Sequence, residues 1–200
     1  MARASKRFCG LVVLVALAAG AFQTDKSSAS LITGGSCPGA SQAFAQWGDP
    51  HFYVFGANGG LESGSYGWSL AGGSTVVSGN ESYYLHSRYD THSLYIPANG
   101  LATTPPMCME TSSSVLRFFV KGGGAVHVQV VERNLLGLVV GVLDQATVGG
   151  SSTWRPSPTI VNLQSLQGLV GVSSVQLRFI SQGGSDQIDD VYVDPMASSN

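Results

Sequence analysis

Apolar and polar residues alternate along short stretches of this chain, with a period of two residues. Val175, Leu177 and Phe179, for example, are separated by one glutamine and one arginine. That period predicts a β-strand with one face buried and the other exposed. Alternation of this kind, or a short apolar run bounded by turn residues, predicts strands at residues 52–55, 67–70, 75–78, 82–86, 93–96, 115–120, 125–132, 136–143, 159–163, 175–179 and 188–193.

Turn residues separate these strands at close intervals. Three glycines at residues 122–124 predict a β-hairpin, and residues 182–185 predict a second hairpin that closes the domain. No segment keeps a 3.6-residue period over three turns, although residues 162–172 are compatible with a short helical turn. The sequence therefore predicts an all-β fold, a β-sandwich or jelly roll, in a single domain at residues 37–196.

The first residues of the chain have the composition of an export signal. A basic segment precedes an apolar run at residues 11–19, and small residues follow the run. This order is typical of a cleaved secretory signal peptide. The alternative is an uncleaved membrane anchor, for which the apolar run is short. The predicted boundaries are a signal peptide at residues 1–21, a flexible linker at 22–36 and a short tail at 197–200.

Removal of the signal changes both the charge and the cysteine count. Residues 22–200 contain seven basic and twelve acidic residues, a net charge of −5. That sign argues against nucleic-acid binding, which needs a basic surface, and we expect no membrane contact after cleavage. Cys37 and Cys108 remain, and two cysteines in a secreted, extracellular chain predict a disulfide. Two free buried thiols are the alternative.

Outward-facing polar residues on the predicted strands are candidates for ligand binding. Valines at alternate positions of residues 125–132 are expected to face inward, which leaves His127 and Gln129 outward. The same alternation turns Arg117, Phe119 and Arg178 outward. Sugar rings are held by aromatic faces and planar polar groups. The candidate ligand-binding residues could form such a site if they share one concave sheet face. They are Tyr84, His86, Arg117, His127, Gln129 and Arg178.

The chain has no motif for nucleophilic catalysis, for a catalytic zinc or for phosphate binding. Asp189 and Asp190 cannot act together as a glycosidase pair, because neighbours on a regular strand face opposite sides. His86, Asp90 and His92 are close in sequence, but their spacing matches no established transition-metal site. A hydrolase with a Ser–His–Asp triad scattered along the chain is the remaining catalytic alternative.

Two motifs resemble those of galactose-binding-like jelly rolls in carbohydrate-binding modules. Residues 58–64, NGGLESG, resemble an opening NGGFExG motif, and residues 188–191, IDDV, resemble a closing strand. Residues 37–195 are more closely similar to uncharacterised secreted proteins from actinobacteria. The chain departs from that group in an insertion at residues 38–40 and in Leu61, where the motif has phenylalanine. The matching positions are Cys37, Phe44, Trp47, Asp49, Pro50, Gly79, Asn80, Glu81, Tyr84, His86, Cys108, Arg117, Phe118, Phe119 and residues 182–195.

This resemblance implies a structural calcium ion held between Glu62 of the opening motif and Asp189 of the closing strand. Calcium prefers carboxylate and carbonyl oxygens, so these residue types suit it. We therefore expect a secreted, non-catalytic module that binds polysaccharide or cell-wall glycan on one sheet face. The alternative function is that of a structural or adhesive surface protein that binds other proteins.

Overall fold

The computed structural model describes residues 37, 39–108, 114–163 and 172–194. These residues form two facing antiparallel sheets and no α-helix, so the predicted all-β sandwich is confirmed. No helix among them is long and apolar enough to span a membrane. The predicted signal peptide, linker and tail lie outside the described residues, as does the middle of the possible helical turn at 162–172.

The two sheets differ in size and order. The seven-stranded sheet has the order β10-β6-β12-β4-β3, with β1 also paired to β12 and β9 to β6. The five-stranded sheet has the order β2-β5-β11-β7-β8. The described strands are β1 Val54–Phe55, β2 Ser69–Ala71, β3 Thr75–Ser78, β4 His92–Ile96, β5 Leu101–Thr103, β6 Ser114–Gly122, β7 Ala125–Arg133, β8 Val139–Gly149, β9 Arg155–Pro156, β10 Ile160–Leu163, β11 Ser174–Gln182 and β12 Asp186–Asp194.

Two glycine turns carry the chain from one sheet to the other. β6 and β7 flank residues 122–124, and β11 and β12 flank residues 182–185, but each pair is divided between the sheets. Both predicted hairpins are therefore wrong. The two turns pack together so closely that a Cβ on Gly124 would lie 2.8 Å from the Gln182 carbonyl oxygen. The buried Asp186 joins them, because its Oδ1 accepts a 3.1 Å hydrogen bond from the Gly124 amide.

The inner faces of the two sheets meet in one apolar core. Val126, Val128 and Val130 are fully buried in it, as their alternation predicts. Phe118 of the seven-stranded sheet and Phe179 of the five-stranded sheet make an edge-to-face contact, with ring centroids 5.1 Å apart. Burial of these side chains is the main source of stability that holds the sheets together.

A second apolar cluster covers the outer side of the seven-stranded sheet. Arg117 and Phe119, both predicted to face outward from β6, are buried there. Alternation places them correctly on the face opposite the core, but this sheet is covered on both faces. The cluster consists of Phe44, Tyr53, Val115, Phe119, Trp154 and Tyr192.

The segment predicted as a strand at residues 82–86 forms part of a loop, residues 79–91, between β3 and β4. Tyr84 in this loop has a φ of 52°, a left-handed conformation that a β-strand does not accommodate. Tyr83 stacks on Phe119 with ring centroids 5.5 Å apart. The 79–91 loop therefore lies over the same outer side of the seven-stranded sheet as the second cluster.

Cys37 and Cys108 form a disulfide, which confirms the predicted pairing. Their Cα atoms are 5.8 Å apart, and 71 positions separate them in sequence. The bond ties the beginning of the described chain to the segment between β5 and β6.

Replacement of Cys37 and Cys108 together by alanine is expected to lower the free energy of unfolding by about 4 kcal/mol, because the bond restricts the unfolded chain. Urea unfolding of the secreted protein and of the double variant measures this change. Alkylation of two thiols in native, unreduced protein would contradict the assignment.

Candidate functional site

The closing strand β12 carries two adjacent carboxylates where its pairing with β6 is irregular. Asp189 pairs with Phe119 and Tyr192 pairs with Arg117, so three steps along β12 match two along β6. Asp190, within this bulge, has a φ of 47°. A bulge breaks the alternation of side chains that a regular strand shows.

Both carboxylates bind amides of the 79–91 loop. Asp189 Oδ2 accepts a hydrogen bond from the Glu81 amide at 2.9 Å. Asp190 Oδ2 accepts one from the His86 amide at 3.1 Å. The prediction that neighbouring aspartates face opposite sides is therefore wrong here, because the bulge directs both toward one loop. Together they fix that loop to the sheet at two points.

Buried carboxyl groups are concentrated in this part of the molecule. Burial raises the pKa of Asp189 to about 9, and the charge of Asp190 adds to the rise. Burial also raises the pKa of Asp190 to about 7, against the opposing effect of the hydrogen bond from the His86 amide. The pKa of Glu81 is raised by burial in the same way. The buried carboxylates of this cluster are Glu81, Asp90, Asp189 and Asp190.

His86 lies at the edge of this acidic cluster. Its Nδ1 is 2.8 Å from Asp90 Oδ2, and its ring stacks on Phe55 with centroids 3.9 Å apart. The side chain remains 39% exposed. His86, Asp90 and Asp190 each bring one ligand-forming atom within 4.8 Å of the others. The sequence brings His86 and Asp90 together only with His92, a set whose spacing matches no established metal site. Asp190 is missed, because a hundred residues separate it from the loop.

The two residues assigned to calcium each have their own hydrogen bonds. Glu62 Oε1 accepts from the amides of Thr91 at 2.8 Å and His92 at 2.7 Å. Asp189 Oδ1 accepts from the Asp190 amide at 2.8 Å, and its Oδ2 takes the loop amide described above. Neither carboxylate lacks a partner, so no contact of this structure singles the pair out as an ion site. Calcium binding by Glu62 and Asp189 stays a prediction.

A row of polar residues crosses the outer face of the five-stranded sheet from one edge to the other. Gln129 donates from Nε2 to Asp144 Oδ1 at 2.8 Å, and His127 Nε2 is 2.9 Å from the same oxygen. Arg178 Nη1 lies 3.5 Å from Gln129 Oε1. In the order of the strands from β2 to β8, the row is Ser69, Thr103, Arg178, Gln129 and Asp144, of which Thr103 is buried.

The six predicted ligand-binding residues do not share one face. His127, Gln129 and Arg178 lie together on the outer face of the five-stranded sheet. Arg117 belongs to the other sheet, and Tyr84 and His86 belong to the 79–91 loop on that sheet's outer side. Half of the predicted set is therefore assembled and the other half is not.

Arg117 is part of a buried ion pair and cannot contact a ligand on the five-stranded sheet. Its Nη1 is 3.0 Å from Asp49 Oδ2, and its Nε and Nη2 donate to the Ser157 carbonyl oxygen at 3.0 and 2.7 Å. Its guanidinium group lies over the ring of Phe44, 4.5 Å from the centroid. These contacts anchor the segment before β1 to the seven-stranded sheet.

Sequence reasoning also missed an exposed apolar surface at the end of the β7–β8 hairpin. The predicted strand at residues 136–143 begins only at Val139, and the residues before it form the turn. The available signal was an apolar run without alternation, which no buried face accounts for. We call this surface the hairpin patch: Leu135, Leu136, Leu138, Val139 and Val140, which are between 46 and 82% exposed.

Comparison of the fold with solved structures finds similar domains in larger proteins. The CBM22-1 and GH10 modules of Clostridium thermocellum xylanase 10B, complexed with xylohexaose, match 73% of this chain at 11% identity and a TM-score of 0.50. The CBM22-1–CBM22-2 tandem domain of Paenibacillus barcinonensis Xyn10C matches 74% at 13% identity and the same TM-score. The enzymatically active domain of bacteriophage CBA120 tailspike protein 4 matches 70% at 15% identity and a TM-score of 0.52.

These likenesses show the fold alone, because the identities are low. The chain spans 29, 46 and 21% of the length of those three proteins, in the order given. No protein-family model matches the sequence, and a comparison with curated proteins gives no match either. The carbohydrate-binding modules among the similar structures agree with the jelly-roll fold of the two facing sheets.

Asp49 provides a pH test of the buried ion pair. Burial opposes its ionisation, but hydrogen bonds from His51, Tyr53 and Thr159 outweigh this effect and lower the pKa of Asp49. Its stabilisation is therefore complete above the pKa of an unfolded aspartate, about 4, and is lost as the pH falls below it. Asp49→Asn is expected to lower the free energy of unfolding by roughly 3 kcal/mol at pH 7 and by progressively less toward pH 3.

Urea unfolding of wild type and Asp49→Asn at several pH values measures this difference. The matched control is Asp144→Asn, an exposed aspartate that also contacts a histidine, for which we expect a small change at every pH. A difference between wild type and Asp49→Asn that stays constant as the pH falls would contradict the assignment.

Proposed function

We propose that the protein is a secreted, non-catalytic module that holds a polysaccharide chain against the outer face of its five-stranded sheet. The observation that carries this proposal is the part of the polar row that solvent reaches on three adjacent strands, Arg178 of β11, Gln129 of β7 and Asp144 of β8. An extended glycan presents hydroxyl groups along its length, and a row of donors and acceptors matches that pattern. The xylohexaose complex of a protein with the same fold supports the ligand class.

The central part of the row is arranged to bind before a ligand arrives. Asp144 Oδ1 contacts both His127 and Gln129, so their side chains are held by β8 at a point where its pairing with β7 shifts register. Fixed side chains lose little conformational entropy on binding. Arg178 Nε is inaccessible to solvent and has no hydrogen-bond partner. A ligand oxygen above Gln129 would therefore bind the terminal nitrogens of this guanidinium group and not Nε.

The proposed mode of binding depends on hydrogen bonds more than on stacking. On β5, β7 and β11, the described residues that face outward include no phenylalanine, tyrosine or tryptophan. Aromatic stacking usually supplies much of the affinity for sugar rings. We therefore infer selectivity for the hydroxyl or carboxylate pattern of the glycan, with Arg178 as the main determinant.

Secretion belongs to the same proposal. The Cys37–Cys108 disulfide is typical of proteins from oxidising compartments, and the basic and apolar leader is typical of exported chains. The resemblance to uncharacterised secreted actinobacterial proteins points the same way and stays a prediction.

Affinity electrophoresis in gels containing xylan, mannan, a mixed-linkage β-glucan or polygalacturonate tests the proposal. Wild type is expected to be retarded by at least one polysaccharide, and Arg178→Ala is expected to weaken that binding about tenfold or more, the cost of a lost charged hydrogen bond. Arg88→Ala is the matched control, because Arg88 is exposed on the 79–91 loop, away from the polar row. Retardation by none of the polysaccharides, or equal loss in both variants, would overturn the proposal.

The hairpin patch favours the alternative function, a structural protein that acts through protein contacts. β8 is an edge strand of the five-stranded sheet and carries Val139 and Val140, both about half exposed. An apolar edge strand pairs readily with another strand. The occupant that these features fit is the β8 edge of a second copy of this chain.

Sedimentation velocity over a range of protein concentrations tests this alternative. Self-association of wild type that disappears in Leu136→Lys would support it, because the added charge opposes burial of the patch. A monomer at every concentration in both proteins would remove it.

A further inference from the structure

Three ligand-forming side chains from distant parts of the chain meet beside β12. The imidazole of His86 and the carboxylates of Asp90 and Asp190 bring one atom each within 4.8 Å of one another. Asp190 is fully buried, and its Oδ1 has no hydrogen-bond partner. A buried carboxylate oxygen without a donor is strongly unfavourable unless a cation or a donor reaches it.

The backbone of the opening motif leaves room at this position. A Cβ on Gly60 would lie 3.0 Å from Asp190 Oδ1 and 3.8 Å from Asp90 Oδ2. Glycine therefore keeps the approach to both carboxylates open where a side chain would crowd them. The unpartnered oxygen of Asp190 thus faces the same space as the oxygen of Asp90 that contacts His86.

The surrounding carboxyl groups make a cation favourable here. Glu81 and Asp189 add two more buried carboxylates to those of Asp90 and Asp190. Across the described part of the chain, no lysine or arginine forms an ion pair with any of them. Buried acidic groups are normally paired with cationic side chains or with metal ions.

The donor atoms decide which kind of cation fits. Calcium and magnesium take oxygen ligands, whereas zinc and similar ions bind imidazole nitrogen together with carboxylate oxygen. We propose that His86, Asp90 and Asp190 form a binding site for a divalent transition-metal ion, with zinc as the ion that this donor set suits. This site differs in residues and chemistry from the calcium pair Glu62 and Asp189.

The contacts of His86 hold its imidazole in a fixed direction, which suits a side chain that binds a metal ion. Its ring is parallel to Phe55 within 8°, and its backbone amide is held by Asp190. The side chain is 39% exposed, so solvent reaches this side of the site and can supply a further ligand. The bound ion would join the 79–91 loop to β12, beside the opening motif at Gly60.

Zinc binding by the full secreted protein tests the proposal. After chelator treatment and dialysis, competition with a chromophoric zinc chelator gives the stoichiometry and affinity. We expect one ion per chain, and at least about tenfold weaker binding in both Asp190→Asn and His86→Gln, since each removes one ligand. The matched control is Asp144→Asn, which breaks another close His–Asp contact, His127 with Asp144, and is expected to leave zinc binding unchanged.

Thermal unfolding separates loss of the ion from loss of the fold. In chelator, Asp190→Asn is expected to unfold at a temperature no lower than that of wild type, because asparagine keeps the acceptor for the His86 amide and removes a buried like charge. Added zinc is expected to raise the unfolding temperature of wild type and not that of Asp190→Asn. The proposal is overturned by equal zinc affinity in wild type and both ligand variants, by no zinc binding, or by a rise with calcium and none with zinc.

Discussion

Burial of carboxylates in β12 is the constraint that the rest of this fold satisfies. Asp186, Asp189 and Asp190 lie within five positions of one strand, and all three are buried. Each needs hydrogen-bond donors, and these come from segments far away in the sequence. Asp186 takes an amide of the glycine turn between β6 and β7, and the other two take amides of the 79–91 loop. The strand thereby fixes both the crossing between the sheets and the loop that covers one of them.

Most of the strands and the class of fold follow from the sequence, because side chains on a half-buried strand must alternate, although β5 is not predicted and residues 82–86 form a loop. The valines of β7 and the apolar residues of β11 show this pattern plainly. The sequence predicts hairpins at the two glycine turns, and this prediction fails for a physical reason. Glycine permits a tight reversal whether the next strand pairs with the previous one or crosses to the opposite sheet. Packing between the two turns, through Gly124 and Asp186, decides whether the chain crosses to the other sheet. The local sequence of either turn does not reveal that packing.

The candidate sites show a similar division. Alternation correctly placed His127, Gln129 and Arg178 on one outer face, because those strands are regular and adjacent. It placed Arg117 on an outer face too, but alternation does not reveal that a second cluster covers that face. The bulge at Asp190 is equally hidden in the sequence, since it depends on pairing with β6. The open outer face belongs to the five-stranded sheet, whereas the acidic cluster lies on the seven-stranded sheet. The glycan and metal proposals can therefore be tested separately.

Amide hydrogen exchange, followed by NMR, tests most directly whether the carboxylates of β12 hold the 79–91 loop. The amides of Glu81 and His86 donate to Asp189 and Asp190 and are expected to exchange as slowly as amides of the neighbouring strands. The amide of Arg88, on the exposed part of the same loop, is expected to exchange much faster. If Glu81 and His86 exchange as fast as Arg88 does, the carboxylates do not fix the loop, and the arrangement described here is wrong.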